Sequence, residues 1–151
     1  MGEIRLLLSG FSLGCLAVIF VIIIRDFWHL AVAKTFLCLI ISASAYLLKD
    51  SIPSNLRWLA GDIMTMLPAL FWLLCQLAFS RRPNLLSIWS FLAVYSFVAP
   101  AITRPFGAFE LESGLIYTLG VQAPQFSEYL VILHGLWVPA GSLERRHTAF
   151  V

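Results

Sequence analysis

The stretch that decides the fold runs from Leu6 to Ile24 and reads LLLSGFSLGCLAVIFVIII. It contains no charged residue and is followed at once by the pair Arg25 and Asp26. A helix needs about 20 mostly apolar residues to cross the hydrocarbon core of a bilayer, and this run is close to that length. It is too long for the apolar core of a signal peptide, and no small-x-small cleavage site follows it. The stretch therefore predicts a membrane-spanning helix.

The composition of the whole chain favours the same class of protein. The 151 residues are 60% hydrophobic and only 12% charged, and the mean hydropathy is +0.90. A soluble domain averages about 45–50% apolar and about 25% charged residues. A chain this short could not bury so much apolar surface in a water-facing fold, because small domains keep a large surface fraction. The net charge of +2 is too small to favour nucleic acid as a partner.

Further apolar runs follow the first one, separated by charged or loop-forming residues. We predict five membrane spans, at about residues 6–24, 27–48, 62–80, 85–102 and 125–141. The fifth run is the weakest, because its apolar part is short. The segment from Arg104 to Pro124 contains proline, glycine and glutamate, and is predicted to be an external loop with an interfacial piece around GLIYTLG. The predicted fold is an all-α, polytopic membrane helix bundle that forms one membrane domain over residues 1–151.

The basic residues predict the orientation of this bundle. With five spans, the side that holds the N-terminus carries four cations, which are Arg5, Lys49, Arg57 and Arg104. The opposite side carries six, which are Arg25, Lys34, Arg81, Arg82, Arg145 and Arg146. The positive-inside rule then places the N-terminus outside and the C-terminus in the cytoplasm, in a cell inner membrane. The five arginines on the cytoplasmic side are predicted topology anchors.

Polar residues of the third predicted span share one helical stripe. Asp62, Thr65, Trp72 and Gln76 recur at helical spacing. A polar side chain facing lipid is costly, so we expect this stripe to face other helices. Pro68 lacks an N–H and is predicted to kink the span.

Two ionisable residues inside predicted spans allow more than one interpretation. Lys34 either extends its ammonium to the headgroups, or donates to the amide of Gln76, or belongs to a ligand-responsive site. His134 lies at mid-depth of the fifth span and is suited to respond to pH, although a lone histidine is more often an interhelical donor. With the stripe above, the candidate polar or sensing positions are Lys34, Asp62, Thr65, Trp72, Gln76 and His134.

The remaining residues give no sign of catalysis. The sequence has no HExxH, no GxSxG and no glycine-rich phosphate loop, and its three histidines lack the spacing of a metal site. The cysteines fall inside apolar runs, which favours small buried thiols. Trp89 lies near a predicted interface and is interpreted as an aromatic belt residue. We predict no enzymatic activity, no cofactor and no metal.

Three stretches of the chain share features with a known family. They are FWHLAVAKTFLCLIISASAYLLKDSIP (27–53), LPALFWLLCQLAFSRRPNLLSIWSFL (67–92), and YLVILHGLW (129–137) followed by LERRH (143–147). The similar elements are the SAYLL end of one span, the PALFWL start of the next, and the basic ERR after the fifth. Together they resemble the N-terminal membrane region of AraC-type transcriptional regulators that carry a multi-helix membrane sensor.

In that family the membrane helices precede a cytoplasmic helix-turn-helix domain, whereas this sequence stops at Val151. No DNA-binding residue can be carried over. The resemblance implies a sensor part without its output domain, either as a truncated gene product or as a stand-alone relative.

The leading hypothesis is therefore an integral membrane protein of sensory or signal-transducing type. Its expected partners are the lipid bilayer and either a second copy of the chain or a cytoplasmic signalling protein, with no direct binding of nucleic acid. The alternatives are a small transporter or channel subunit, and a non-enzymatic membrane scaffold protein.

Overall fold

A computed structural model describes residues 2–80, 83–107 and 114–148, without the side chains of a few residues near the N-terminus and of residues 141–148. Over these ranges every regular element is helical, which confirms the predicted all-α class. The chain divides into two compact units, Met1–Leu67 and Pro68–Val151. The predicted anchors Arg81 and Arg82 lie outside the described residues, and the side chains of Arg145 and Arg146 are not described.

The first unit is built from three helices, α1 (Gly2–Phe27), α2 (Ala31–Leu48) and α3 (Arg57–Thr65). A tight turn, in which the Leu30 N–H donates to the Phe27 carbonyl at 2.9 Å, separates α1 from α2. The two helices pack through an apolar cluster, and α3 packs against α2. The buried members of that cluster are Ile23, Ala33, Leu37 and Ile40.

Most of the surface of α1 lies outside this packing. Only 6% of its most apolar window is buried, and Cys15 is exposed. Cys38 on α2 is exposed as well, so the expectation that all three thiols are buried holds for Cys75 alone. The reason is that an apolar helix in lipid has no need to turn small or apolar side chains inward.

The second unit contains α4 (Leu67–Phe79), α5 (Ile88–Thr103) and α7 (Ala123–Thr148). Ala69 and Trp72 of α4, Ala93 of α5 and Val131 of α7 form its buried core. Buried hydroxyls next to this core are satisfied within their own helices. Ser96 donates to the Ala93 carbonyl at 2.8 Å, and Ser127 donates to the Pro124 carbonyl at 2.7 Å.

The third predicted span is interrupted in the structure. The sequence predicts one helix over residues 62–80, whereas α3 begins five residues earlier, at Arg57, and ends at Thr65, and α4 begins at Leu67. Pro68 is the second residue of α4. In the first turn of a helix the missing proline N–H has no intrahelical partner to lose, so Pro68 fits a helix start better than a helix interior.

The last continuous helical segment begins at Leu115, ten residues before the predicted fifth span. A short turn of helix, α6 (Leu115–Tyr117), leads into a π-helical segment, Thr118–Gln122, and then into α7. Residues 108–113 of the predicted external loop are outside the described residues. The early start is explained by a contact with α5: the Tyr95 hydroxyl donates to the Leu119 carbonyl at 2.7 Å. In a π-helix the Leu119 carbonyl would accept from the N–H of residue 124, but that residue is Pro124 and has no N–H. The Tyr95 hydroxyl supplies the missing donor.

Three helical segments are long and apolar enough to cross a membrane, Leu7–Phe27, Ala31–Leu48 and Ser54–Phe79. In the third segment α3 and α4 follow each other with the single residue Met66 between them. The three segments correspond to the first three predicted spans and fit a membrane location. The fourth prediction corresponds to α5, whose 16 residues would extend about 24 Å, against a hydrocarbon core of about 30 Å. The fifth lies within α7. The five-span topology and the orientation stay predictions.

Candidate functional site

The second unit brings three aromatic side chains together from its three long helices. His134 lies on α7, Trp72 on α4 and Trp89 on α5, and we call them the His134 cluster. The Trp72 Nε1–H donates to His134 Nδ1 at 2.9 Å. The Trp89 ring stacks on the imidazole with 4.1 Å between ring centroids and 11° between planes.

The hydrogen bond fixes the chemical state of the imidazole. An indole nitrogen can only donate, so His134 Nδ1 must act as the acceptor and carry no proton. The imidazole is therefore the neutral tautomer with its hydrogen on Nε2. The sequence predicted that His134 either responds to pH or donates between helices, and the structure shows an interhelical bond in which its Nδ1 accepts.

The Trp72 indole N–H in turn requires a hydrogen-bond acceptor. Its side chain is only 3% exposed and packs in the core of the second unit. A buried indole N–H that finds no acceptor destabilises the fold by about 1–3 kcal/mol. His134 supplies the acceptor from a helix 62 positions away in sequence.

A glycine next to the histidine explains how the two helices come close enough. A Cβ placed on Gly135 would lie 3.3 Å from the Phe71 Cε1 atom and 3.4 Å from the Trp72 Cα atom. These distances are at the lower limit of side-chain contact. The absence of a side chain at Gly135 thus lets α7 approach the backbone of α4 at the level where the imidazole meets the indole.

Polar side chains lie close in sequence to the cluster residues of α4 and α5. Gln76 is 7% exposed and lies one helical turn after Trp72 on the same face of α4. The Ser90 hydroxyl, next to Trp89, is buried and has no hydrogen-bond partner in the described part of the chain. Both neighbouring helices thus bury a polar group, which is costly, within one helical turn in sequence of a cluster residue.

The other sequence-predicted positions belong to the first unit. The Lys34 ammonium lies 5.5 Å from the centroid of the Trp28 ring, in a cation–π contact. The Thr65 hydroxyl donates to the Asp62 carbonyl at 2.9 Å, and both residues are half-buried. Arg25 forms a two-pronged ion pair with its neighbour Asp26, at 2.8 and 2.9 Å. Of the six candidates, the structure joins Trp72 and His134 across two helices, and Thr65 and Asp62 within α3.

Trp89 is the member of the cluster that sequence reasoning missed. A tryptophan close to a polar loop is typical of the interfacial belt, and this is how Trp89 was interpreted. Small residues four and seven positions later, Ala93 and Ser96, are both buried and mark the packed face of α5. Trp89 lies on that face, so the small-residue spacing is the signal that points to its inward position.

Among the described residues, no group of three or more histidine, cysteine, aspartate or glutamate side chains is placed to hold a metal ion. Comparison with known proteins found no matching family, no matching curated protein and no matching solved structure. The resemblance to AraC-type membrane regions therefore stays a prediction.

Proposed function

We propose that this chain is an integral membrane protein of sensory or signal-transducing type, and that the His134 cluster is its responsive element. The observation that supports the proposal is the single hydrogen bond between Trp72 and His134, which links α4 to α7. The resemblance to membrane sensor regions favours the same class of function.

The cluster is suited to this role because its two bonding states are distinct. A buried indole N–H either has its acceptor or loses it, and intermediate arrangements are costly. A signal that alters the imidazole would therefore switch the packing between α4 and α7 from one arrangement to another. It would not distort this packing gradually. A two-state element of this kind is what signal transmission through a helix bundle requires.

The membrane topology is part of the proposal. We propose five spans in a cell inner membrane, with the N-terminus outside and the C-terminus in the cytoplasm, where the basic end of α7 would meet a signalling partner or a second copy. Topology reporters fused after Val151 and inserted in the loop at residues 81–84 should both give a cytoplasmic signal. An external signal at either site would contradict the orientation. Neutral replacements of Arg81 and Arg82 should weaken the orientation without unfolding the helices.

The sensory role can be tested in a chimera. The full chain is fused at its C-terminus to a DNA-binding domain that activates a reporter only as a dimer. His134→Phe and Trp72→Phe remove the interhelical bond, and each should change the reporter output by at least about fivefold, the lower range of allosteric coupling. Leu133→Ala is the matched control, because Leu133 neighbours His134 on α7 but is 63% exposed. Equal output from all four proteins at equal membrane levels would contradict the proposal.

A further inference from the structure

We infer that His134 is a proton-operated switch between two helices. In its neutral form it accepts a hydrogen bond from Trp72 of α4, and in its protonated form it releases Trp72 and remains stacked on Trp89 of α5. This inference deepens the proposed function and rests on it for the consequence in the cell. The switch itself is a property of the protein that can be measured directly.

The first step follows from the acceptor atom. His134 Nδ1 lies 2.9 Å from the Trp72 Nε1 that donates to it. A second proton on the imidazole can only bind at Nδ1, because Nε2 already carries one. Protonation would then place two N–H groups against each other at hydrogen-bond distance. The bond between α4 and α7 cannot survive in that form.

The second step follows from the stacked ring. The Trp89 indole lies parallel to the imidazole at 4.1 Å, which is within the range of a cation–π contact. A charged imidazolium is attracted to an indole face more strongly than a neutral imidazole is. The same protonation that breaks the contact with Trp72 therefore strengthens the contact with Trp89.

The ionisable groups around the cluster are few. On the described side chains of the three helices they are Cys75 of α4, Tyr95 of α5, and Glu128 and Tyr129 of α7. The Tyr95 hydroxyl donates to the Leu119 carbonyl. Glu128 precedes His134 by six residues, which places it about 9 Å away along the axis and about 120° away around it. Trp89 is the group whose ring contacts the imidazole face, and we take it to receive the imidazolium charge.

The third step concerns Trp72 after release. Its indole is almost fully buried against Ala69, Ala93 and Val131. A buried N–H that has lost its acceptor must find another one or move. The side-chain carbonyl of Gln76, one turn along the same face of α4, offers an acceptor that a rotated indole can use. Protonation of one side chain is thus converted into a rearrangement of the core.

The switch can be observed through the indole N–H signals of the full-length protein in lipid nanodiscs. The protein is labelled with ¹⁵N-tryptophan, and Trp72→Phe assigns the Trp72 signal. Between about pH 8 and about pH 5, the range in which an imidazole titrates, the Trp72 Nε1–H signal should move from the hydrogen-bonded position to a new one. His134→Gln should abolish this shift, because the glutamine carbonyl can accept from Trp72 but does not titrate.

Two variants serve as controls for the other histidines. His29→Gln and His147→Gln should leave the Trp72 shift unchanged. The inference is overturned if the Trp72 signal does not move over this range while circular dichroism shows intact helices. It is also overturned if the shift persists in the His134→Gln protein.

The two proposals fail in different ways. A Trp72 signal that titrates through His134, combined with a chimera whose output ignores the cluster, would leave the switch in place and remove the sensory function. A chimera that responds to cluster variants, combined with a Trp72 signal that does not titrate, would keep the sensory function and exclude the proton as its trigger.

Discussion

The two units of the chain use polar groups in different ways. In the first unit, the hydroxyls of Ser12, Thr35 and Thr65 donate to carbonyls of their own helices. In the second unit the hydroxyls of Ser96 and Ser127 do the same, but Trp72 also donates to α7, and Tyr95 donates to the π-helical segment that precedes α7. Helices in lipid gain little from apolar contact with each other, because lipid is as apolar as leucine. Interhelical hydrogen bonds and close packing therefore help to specify the second unit, whereas α1 of the first unit presents mostly apolar surface.

The two units differ most in how deeply their aromatic side chains are buried. Substitutions of these side chains should therefore give the largest effect on the free energy of unfolding. Trp72→Ala should lower the free energy of unfolding by about 3–5 kcal/mol, because it opens a cavity in the core of the second unit and removes the bond to His134. Phe11→Ala in α1 should change it by less than about 0.5 kcal/mol, because Phe11 is 74% exposed. Unfolding in detergent mixtures, followed by circular dichroism, measures both. Equal effects of the two substitutions would contradict the comparison.

Glycine substitutions should have opposite signs in the two units. A Cβ on Gly120 would collide with the Thr103 side chain of α5, so Gly120→Ala should destabilise the protein by about 1–3 kcal/mol. A Cβ on Gly10 of α1 would meet no atom within 4 Å. Gly10→Ala should therefore stabilise the helix by up to about 1 kcal/mol, through its better helix propensity. The same unfolding measurement checks both signs. A loss of stability in Gly10→Ala would show that the surface of α1 at Gly10 is packed against a partner.

The hydrogen bond from Tyr95 to the π-helical segment is expected to contribute less. Tyr95→Phe keeps the ring and removes the donor to the Leu119 carbonyl, so it should destabilise the protein by about 0.5–1.5 kcal/mol. Its matched control in the first unit is Ser12→Ala, which removes an exposed hydroxyl bonded to its own helix and should have little effect. Faster amide exchange around residues 118–122 in Tyr95→Phe would locate the loss. Unchanged amide exchange at residues 118–122 would show that the Tyr95 hydrogen bond does not stabilise the π-helical segment.

The sequence predicts local elements better than contacts between them. Long apolar runs indicate α1 and α2 within a few residues, because helix length and hydropathy are local properties. The early start of the last helix was missed because Gly120 and Pro124 are typical loop residues. Their helical conformation depends on Tyr95 and Thr103 of another helix, which no local pattern reveals.

The candidate site shows the same limit. Trp72 and His134 stand out individually, since each is a polar group in an apolar run. Their contact depends on the relative register of α4 and α7, which are separated by more than 40 residues. A lone sequence contains no measure of that register. Trp89 was assigned to the interface for the same reason, because its inward position depends on how α5 packs.

Among the substitutions in the second unit, Gln76→Leu has the smallest expected effect on stability, and it tests the role of the polar groups in that unit. Gln76 is buried one turn from Trp72, and Leu is close to it in size. Hydrogen bonds of polar side chains between membrane helices contribute about 0.6 kcal/mol on average and up to roughly 2 kcal/mol, so Gln76→Leu should destabilise the protein only modestly.

If Gln76 receives the released indole, the same substitution should act mainly on the switched form. Gln76→Leu should then change the reporter output of the chimera while the neutral-form Trp72 signal keeps its hydrogen-bonded position. Leu77→Ala, which shortens the next side chain on α4, is the control for a general change of packing. A loss of stability as large as that of Trp72→Ala would show instead that Gln76 holds the folded bundle together. In that case its burial is a requirement of the fold rather than of the switch.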